Sequence, residues 1–139
     1  MFISFVFVDL RARVASATFA VASGHYAGRT SERAAVTFKI SGRAIRNFAT
    51  ADGYNGSCGQ GGGPSFSIHV KRNVPVNRAG RFSINIALVS LVKQFANHKG
   101  TLTGTAKGSH VSGSIIDVTQ EHAKACKHGY NETFKAAKT

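Results

Sequence analysis

Short runs of alternating apolar and polar residues dominate this chain. In the stretch "AAVTFKIS", Val36, Phe38 and Ile40 alternate with Thr37, Lys39 and Ser41. Because successive side chains of a β-strand point to opposite faces of the sheet, the pattern places the three apolar side chains on one face. Helical character is confined to residues 119–129, "TQEHAKACKHG", which favour either a helical turn ending at Gly129 or a connection between strands.

The alternation recurs along the chain with Gly, Asn and Ser between the runs. It predicts two hairpins, one from Ala34 to Ala51 and one from "TLTGTAKG" into "SHVSGSIIDVT". It also predicts two strands with inward apolar residues, "SFSIHVK" and "GRFSINIALVSL", and a last strand from Glu132 to Ala137. About seven or eight strands at this spacing are typical of an all-β antiparallel sandwich or barrel. The sequence does not alternate strands with helices, which is the pattern that would indicate a parallel sheet.

The front of the chain resembles an export signal. Residues 1–22 contain a basic "RAR", a short apolar stretch and the small residues Ala20 and Ala22, a pattern that predicts cleavage before Ser23 and a single secreted domain over residues 23–139. The alternative is an irregular first strand, "FISFVFV". Neither apolar run reaches the roughly 18–20 residues that cross a bilayer, so no transmembrane segment is predicted.

Two cysteines lie far apart in the sequence, at Cys58 and Cys126. In an exported protein such a pair predicts a disulfide, which in the chain-entropy model restricts the unfolded chain by about 4 kcal/mol. The alternative is zinc held by His122, Cys126 and His128 with Cys58 as a fourth ligand. The chain lacks a C-x-x-C pair, so the disulfide is preferred, and no metal or cofactor is predicted.

The chain is strongly basic, with 18 Lys and Arg against 6 Asp and Glu and a formal charge of +12. Such a field favours anionic partners, of which a cell-envelope polymer is one candidate. Cations at outward strand positions are the predicted binding residues: Lys39, Arg43, Arg46, Lys71 and Arg72. The alternative is a generally solvated basic surface, since no run of like charges marks a nucleic-acid tail.

Motifs for catalysis and phosphate binding are missing from the sequence. The loop "NGSCGQGGGPS" lacks the lysine and the following helix of a P-loop, and no G-x-S-x-G elbow occurs. An enzyme would need Asp52, Tyr54, His128 and the two cysteine loops to converge at one end of the fold. Nucleic-acid binding would need a basic stripe with exposed aromatic residues, for which the candidates are Tyr26, Tyr54 and Tyr130.

The segment "GHYAGRTSERAAVTFKISGRAIRNF" resembles the opening of a family of small secreted bacterial β-sandwich domains, which begin G-x-Y-x-G-x-T. Further matches are Cys58, "GRFS", "LTGT", "SGSI" and Cys126 before "ETFKA", and the resemblance covers nearly all of the chain after Ser23. The family has no assigned activity. The resemblance implies a β fold with one disulfide and assigns no catalytic residue, so the expected function is a secreted, non-catalytic binding or structural domain.

Overall fold

A computed structural model describes residues 20–55, 65–90, 97–117 and 130–139. These residues form nine strands and no helix: β1 Gly24–Thr30, β2 Ala35–Ser41, β3 Ala44–Asn55, β4 Ser65–Val70, β5 Val74–Pro75, β6 Arg81–Ser90, β7 His98–Lys107, β8 His110–Asp117 and β9 Tyr130–Lys138. No helix long and apolar enough to cross a membrane occurs in these ranges. The all-β class predicted from the sequence is confirmed.

Eight strands form one closed antiparallel barrel. Each of these eight strands pairs with the next of the eight along the chain, so that β4 pairs with β6, and β9 pairs with β1 to close the sheet. The two-residue β5 is an additional strand that pairs with the start of β3, at Ala44 and Ile45. Of the two predicted architectures, sandwich and barrel, the structure is therefore the barrel, in which a single sheet surrounds the core and leaves no long free edge.

The core lies inside the barrel, where the period-two pattern predicted it. In β2, Val36, Phe38 and Ile40 point inward, and in β4 Phe66 and Ile68 are buried likewise. Tyr26, Phe38 and Phe48 stack in sequence, with ring centroids 5.2 and 5.7 Å apart. The predicted hairpin from Ala34 to Ala51 is formed by β2 and β3.

Two glycines make room for two phenylalanines across one row of the sheet. The row runs from Phe82 in β6 through Gly104 and Gly113 to Phe134 in β9. A Cβ on Gly104 would lie 2.6 Å from the Phe82 ring, and one on Gly113 would lie 2.7 Å from the Phe134 ring. Because Gly104 and Gly113 have no Cβ, the rings of Phe82 and Phe134 can lie over them and fill the interior. Aromatic side chains commonly cover sheet glycines in this way.

The barrel has two different ends. At one end, the short-turn end, the strands are joined by residues 42–43, 71–80 and 108–109, and β9 finishes there. At the other, the long-connection end, the joining segments are residues 31–34, 56–64, 91–97 and 118–129. The sheet therefore separates residues near the first set of turns from residues near the second by the length of a strand.

Residues just before β1 also pair with the short-turn end. Val21 forms a parallel bridge with Gly108, the amide of Ala22 donates to the Gly108 carbonyl at 2.8 Å, and the Gly108 amide donates to the Ala20 carbonyl at 2.8 Å. Several predictions fall outside the described residues: the strand "FISFVFV", the Cys58–Cys126 disulfide, the zinc alternative and the turn over residues 119–129.

Candidate anion-binding end of the barrel

The structure brings the five predicted binding residues to the same end of the barrel, although they are spread over 34 positions of sequence. Lys39 is near the end of β2, Arg43 is in the turn that follows, Arg46 is near the start of β3, and Lys71 and Arg72 follow β4. All of these positions belong to the short-turn end. Three of the side chains are exposed and two are half-buried.

More cations lie at this end than were predicted. Of the 13 described Lys and Arg residues, nine lie in a turn of the short-turn end or within two residues of a strand terminus there. These nine residues are called the basic end: Lys39, Arg43, Arg46, Lys71, Arg72, Arg78, Arg81, Lys107 and Lys138. No described residue of the short-turn end is Asp or Glu, since the described acidic positions, Glu32, Asp52, Asp117 and Glu132, all belong to the other end.

Like charges sit directly opposite one another in this surface. Lys39 of β2 is the register partner of Arg46 in β3 and of His25 in β1. Side chains directly opposite in a sheet have Cβ atoms about 4.5–5.5 Å apart, and like charges in that position destabilise the pairing. The pair of Lys39 and Arg46 thus concentrates positive charge at a cost to the fold.

Backbone carbonyls hold three of the guanidinium groups in place. Arg43 Nη2 donates to the Asn77 carbonyl at 2.6 Å, Arg72 Nη2 donates to the Asn85 carbonyl at 3.1 Å, and Arg46 Nε reaches the Ser41 carbonyl at 3.4 Å. An arginine has five donors, so each retains donors for an anion. Fixing the side chain beforehand reduces the entropy that binding would otherwise cost.

The turn that carries Arg43 is itself unusual. Gly42 and Arg43 have φ angles of 57° and 54°, which fits the two-residue hairpin turn with both central residues in the left-handed region. Gly, which has no Cβ, and Asn, whose short polar side chain can hydrogen-bond locally, usually fill such positions, because the left-handed backbone costs other residues roughly 1–2 kcal/mol. A large cationic side chain therefore occupies a position where the local backbone favours a small residue.

The long-connection end contains a buried acid instead. Glu132 in β9 is 0% exposed, and neither carboxyl oxygen has a hydrogen-bond partner of normal geometry among the described residues. Burial raises the pKa of this carboxyl, and the nearby Glu32 carboxylate adds to the rise, whereas the Thr30 hydroxyl and the Glu32 amide, which face it, lower the pKa by less. The inward position follows from the alternation of Glu132 with Phe134 and Ala136, a signal that the sequence already contained.

The residues proposed for an enzyme do not form a described site. Asp52 and Tyr54 lie in β3 toward the long-connection end, while Cys58, Cys126 and His128 fall outside the described residues. Within the described ranges, no group of three His, Cys, Asp or Glu side chains is placed to hold a metal ion. Four grooves of about 300–440 Å³ are formed by described residues along the barrel wall or beside the short-turn end.

The expectation that Tyr26 is available for stacking on nucleic-acid bases is wrong. Its side chain is 2% exposed and points into the barrel, where the ring stacks on Phe38. The hydroxyl donates to the Ala22 carbonyl at 2.7 Å, and burial raises its pKa. The other described aromatic side chains, five phenylalanines, are buried as well: Phe38, Phe48, Phe66, Phe82 and Phe134.

Comparison with known proteins found no match, whether among family models, curated proteins or solved structures. The resemblance to small secreted bacterial domains therefore stays a prediction.

Proposed function

We propose that this protein is a non-catalytic binding domain that attaches to anionic polymers or polymer-coated surfaces through the basic end. The observation that carries the proposal is the segregation of charged side chains: nine cations and no described Asp or Glu at the short-turn end. Cations that served only solubility would gain nothing from crowding, because like charges at close range repel one another. An array of neighbouring cations instead matches a chain of repeated negative charges.

The shape of the surface favours a polymer over a single small anion. The cations come from five successive places around the barrel rim: the β2–β3 turn, the segments before and after β5, the β7–β8 turn and the end of β9. A polymer can contact several of these places at once. After one contact forms, the others form within the same complex at a high effective concentration, so weak individual contacts add to a stronger binding. Single-stranded nucleic acid is a poorer candidate, because its proteins usually add exposed aromatic residues. Tyr26 and the five described phenylalanine side chains are all buried.

The decisive experiment compares two triple variants with equal changes in net charge. One reverses Lys39, Arg46 and Lys71 to Glu at the basic end. The other reverses Arg29, Arg33 and Lys135 to Glu, all of which are exposed and outside the basic end. Retention on immobilised dextran sulfate is measured across a salt gradient, because screening weakens contacts between exposed charges.

The first variant is expected to elute at clearly lower salt than the second, which should remain near the wild-type position. Equal losses for the two variants would show that total charge governs retention and would overturn the proposal. Circular dichroism melting of both variants checks that the barrel stays folded. Stronger retention on single-stranded DNA than on dextran sulfate of matched charge density would favour the nucleic-acid alternative.

We further propose that the chain is exported and cleaved before Ser23, as the front-end pattern predicts. The contacts of Ala20 and Ala22 with Gly108 mean that cleavage there would remove two backbone hydrogen bonds from the short-turn end. N-terminal sequencing of protein recovered from the medium of an expressing bacterium tests the position. A secreted chain that begins earlier would contradict cleavage before Ser23, and retention inside the cell would contradict export.

A further inference from the structure

The barrel wall is split between β4 and β6. These neighbouring strands are in register at only two pairs, Phe66 with Ser90 and Ser67 with Val89. By comparison, β6 and β7 are paired at eight positions. Beyond Ser67 the strands diverge, and residues 69–72 and 85–87 line a groove of about 320 Å³, which is called the β4–β6 split.

The β4–β6 split has an apolar floor and a cationic rim. Val70 and Ile86 are inward-facing residues that are 6% and 9% exposed, and both line the groove. His69, Lys71 and Arg72 are exposed along the β4 side, and Asn85 lies on the β6 side. The groove has no acidic residue in its lining. Its chemistry therefore matches an occupant with apolar groups below and negative groups above.

The backbone of the split points to a particular kind of occupant. Where two strands of the barrel are in register, the neighbouring strand supplies the hydrogen-bond partners that main-chain peptide groups require. In the split, the carbonyl of Asn85 in β6 instead accepts a hydrogen bond from Arg72 Nη2 at 3.1 Å. The Arg72 side chain thus donates to a carbonyl that would normally accept from a backbone amide of a paired strand.

We infer that the β4–β6 split is a docking groove for an extended peptide segment in which apolar and acidic residues alternate. Its backbone pairs with the strand edge at the split, its apolar side chains rest on Val70 and Ile86, and its carboxylates meet Lys71 and Arg72. This is recognition by addition of a strand, in which the main chain supplies affinity and alternate side chains supply specificity. The inference uses two cations of the basic end but does not depend on its binding of polymers.

Peptide is favoured over other polyanions by geometry. A polysaccharide or polyphosphate can satisfy the cationic rim, but only an extended peptide presents main-chain donors and acceptors at the strand repeat of about 3.3 Å. Side chains alternate along β4, so that Val70 points inward and Lys71 points outward. The side chains of a bound peptide would alternate in the same way, with the apolar ones toward Val70 and the acidic ones toward Lys71.

Fluorescence anisotropy with a labelled peptide of alternating valine and glutamate tests the inference on the full chain. Two comparison peptides separate backbone pairing from charge. One carries N-methyl groups at alternate residues, which keeps the side chains and removes the main-chain donors. The other is an oligoglutamate with the same number of carboxylates. Losing two or more main-chain hydrogen bonds predicts about tenfold weaker binding of the N-methyl peptide.

Equal binding of the N-methyl peptide, or of oligoglutamate, would overturn the inference, because charge alone would then explain it. A paired set of variants adds a second readout: Lys71→Glu with Arg72→Glu should weaken the valine–glutamate peptide at least about tenfold, whereas Arg29→Glu with Lys135→Glu, of the same net charge, should leave it within about twofold. Retention of wild-type protein on dextran sulfate is measured in parallel. If it persists while the peptide fails to bind, the docking groove is wrong and the polymer-binding proposal stands.

Discussion

Replacement of Glu132 by Gln should stabilise this protein, and the gain should grow as the pH rises. The carboxyl is 0% exposed in the barrel interior, and burial raises its pKa above the ordinary value. The unfolded chain therefore releases this proton at lower pH than the folded chain does. Stability from the neutral acid is complete below the unfolded pKa and is lost as the pH rises through the folded pKa, whereas Gln stays neutral throughout.

The expected size follows from the surroundings of the carboxyl. Neither oxygen has a described hydrogen-bond partner of normal geometry, and a buried polar group left unsatisfied costs about 1–3 kcal/mol, with more for a charge. Glu132→Gln should thus be more stable than wild type by about 1–3 kcal/mol at pH 8 and nearly equal to it at pH 4. For a domain of this size each kcal/mol corresponds to about 4 °C in Tm.

Thermal melts followed by circular dichroism from pH 4 to pH 9 measure the difference, with each variant compared with wild type in the same buffer. Lys135→Gln is the control, because Lys135 lies in the same strand but is exposed. Its difference from wild type should change little over the range. A Glu132→Gln protein that is less stable at pH 8 would refute the reasoning, since it would mean that the folded state holds the ionised carboxylate favourably.

Three further substitutions test separate parts of the structure. Arg43→Asn should leave stability within about 0.5 kcal/mol, because Asn tolerates the left-handed turn, yet should lower retention on dextran sulfate; a loss of stability without a change in retention would contradict this role. Gly104→Ala should cost about 1–3 kcal/mol in urea unfolding, since its Cβ would lie 2.4 Å from the Ser112 carbonyl oxygen. Gly108→Asn should cost less, because open space surrounds Gly108 and Asn tolerates its φ of 59° better than other side chains. Tyr26→Phe should cost about 1 kcal/mol through loss of the bond to Ala22, and an unchanged Tm would show that residues 20–22 do not hold the short-turn end.

The sequence predicted the strands better than their arrangement. Period-two alternation identifies the inward face of β2 and β4 from neighbouring residues alone, and the structure confirms it. Closure of the barrel depends on β1 pairing with β9, from Tyr26 with Lys138 to Thr30 with Phe134, at opposite ends of the chain. No local pattern encodes such a partner, so sandwich and barrel were equally compatible with the alternation.

For two residues, the place in the strand alternation predicts whether the side chain points inward better than the residue type does. Tyr26 was a candidate for stacking on bases, but the alternation of Tyr26 and Thr30 in β1 places both side chains inward, and the Tyr26 hydroxyl finds a backbone acceptor. Glu132 follows the same rule, since it shares the inward face with Phe134. At both positions, the period-two alternation of the strand determines the direction of the side chain, although that side chain is polar.

The basic end was predictable in part, because of how an up-and-down sheet is built. Every second turn of such a sheet returns to the same end, so cations beside alternate turns gather there even when they are scattered in sequence. Lys39, Arg43 and Lys71 were identified as outward residues, but Lys107 and Lys138 join them only through the pairings of β7 with β8 and of β8 with β9. Those pairings are long-range and follow from the closed sheet.

The charge arrangement at the basic end also opposes stability. Arg29 and Lys135 likewise face each other across β1 and β9, but only at the basic end does such a pair stand among nine cations with no described Asp or Glu. Lys39 faces Arg46 across a strand pair, and Arg43 occupies a left-handed position that Asn or Gly would fill with less strain. Neither feature improves the packing of the core, which lies on the inward side of the same strands. An anion bound across the pair offsets the repulsion between Lys39 and Arg46, so the arrangement that is unfavourable in the free protein becomes favourable in the complex.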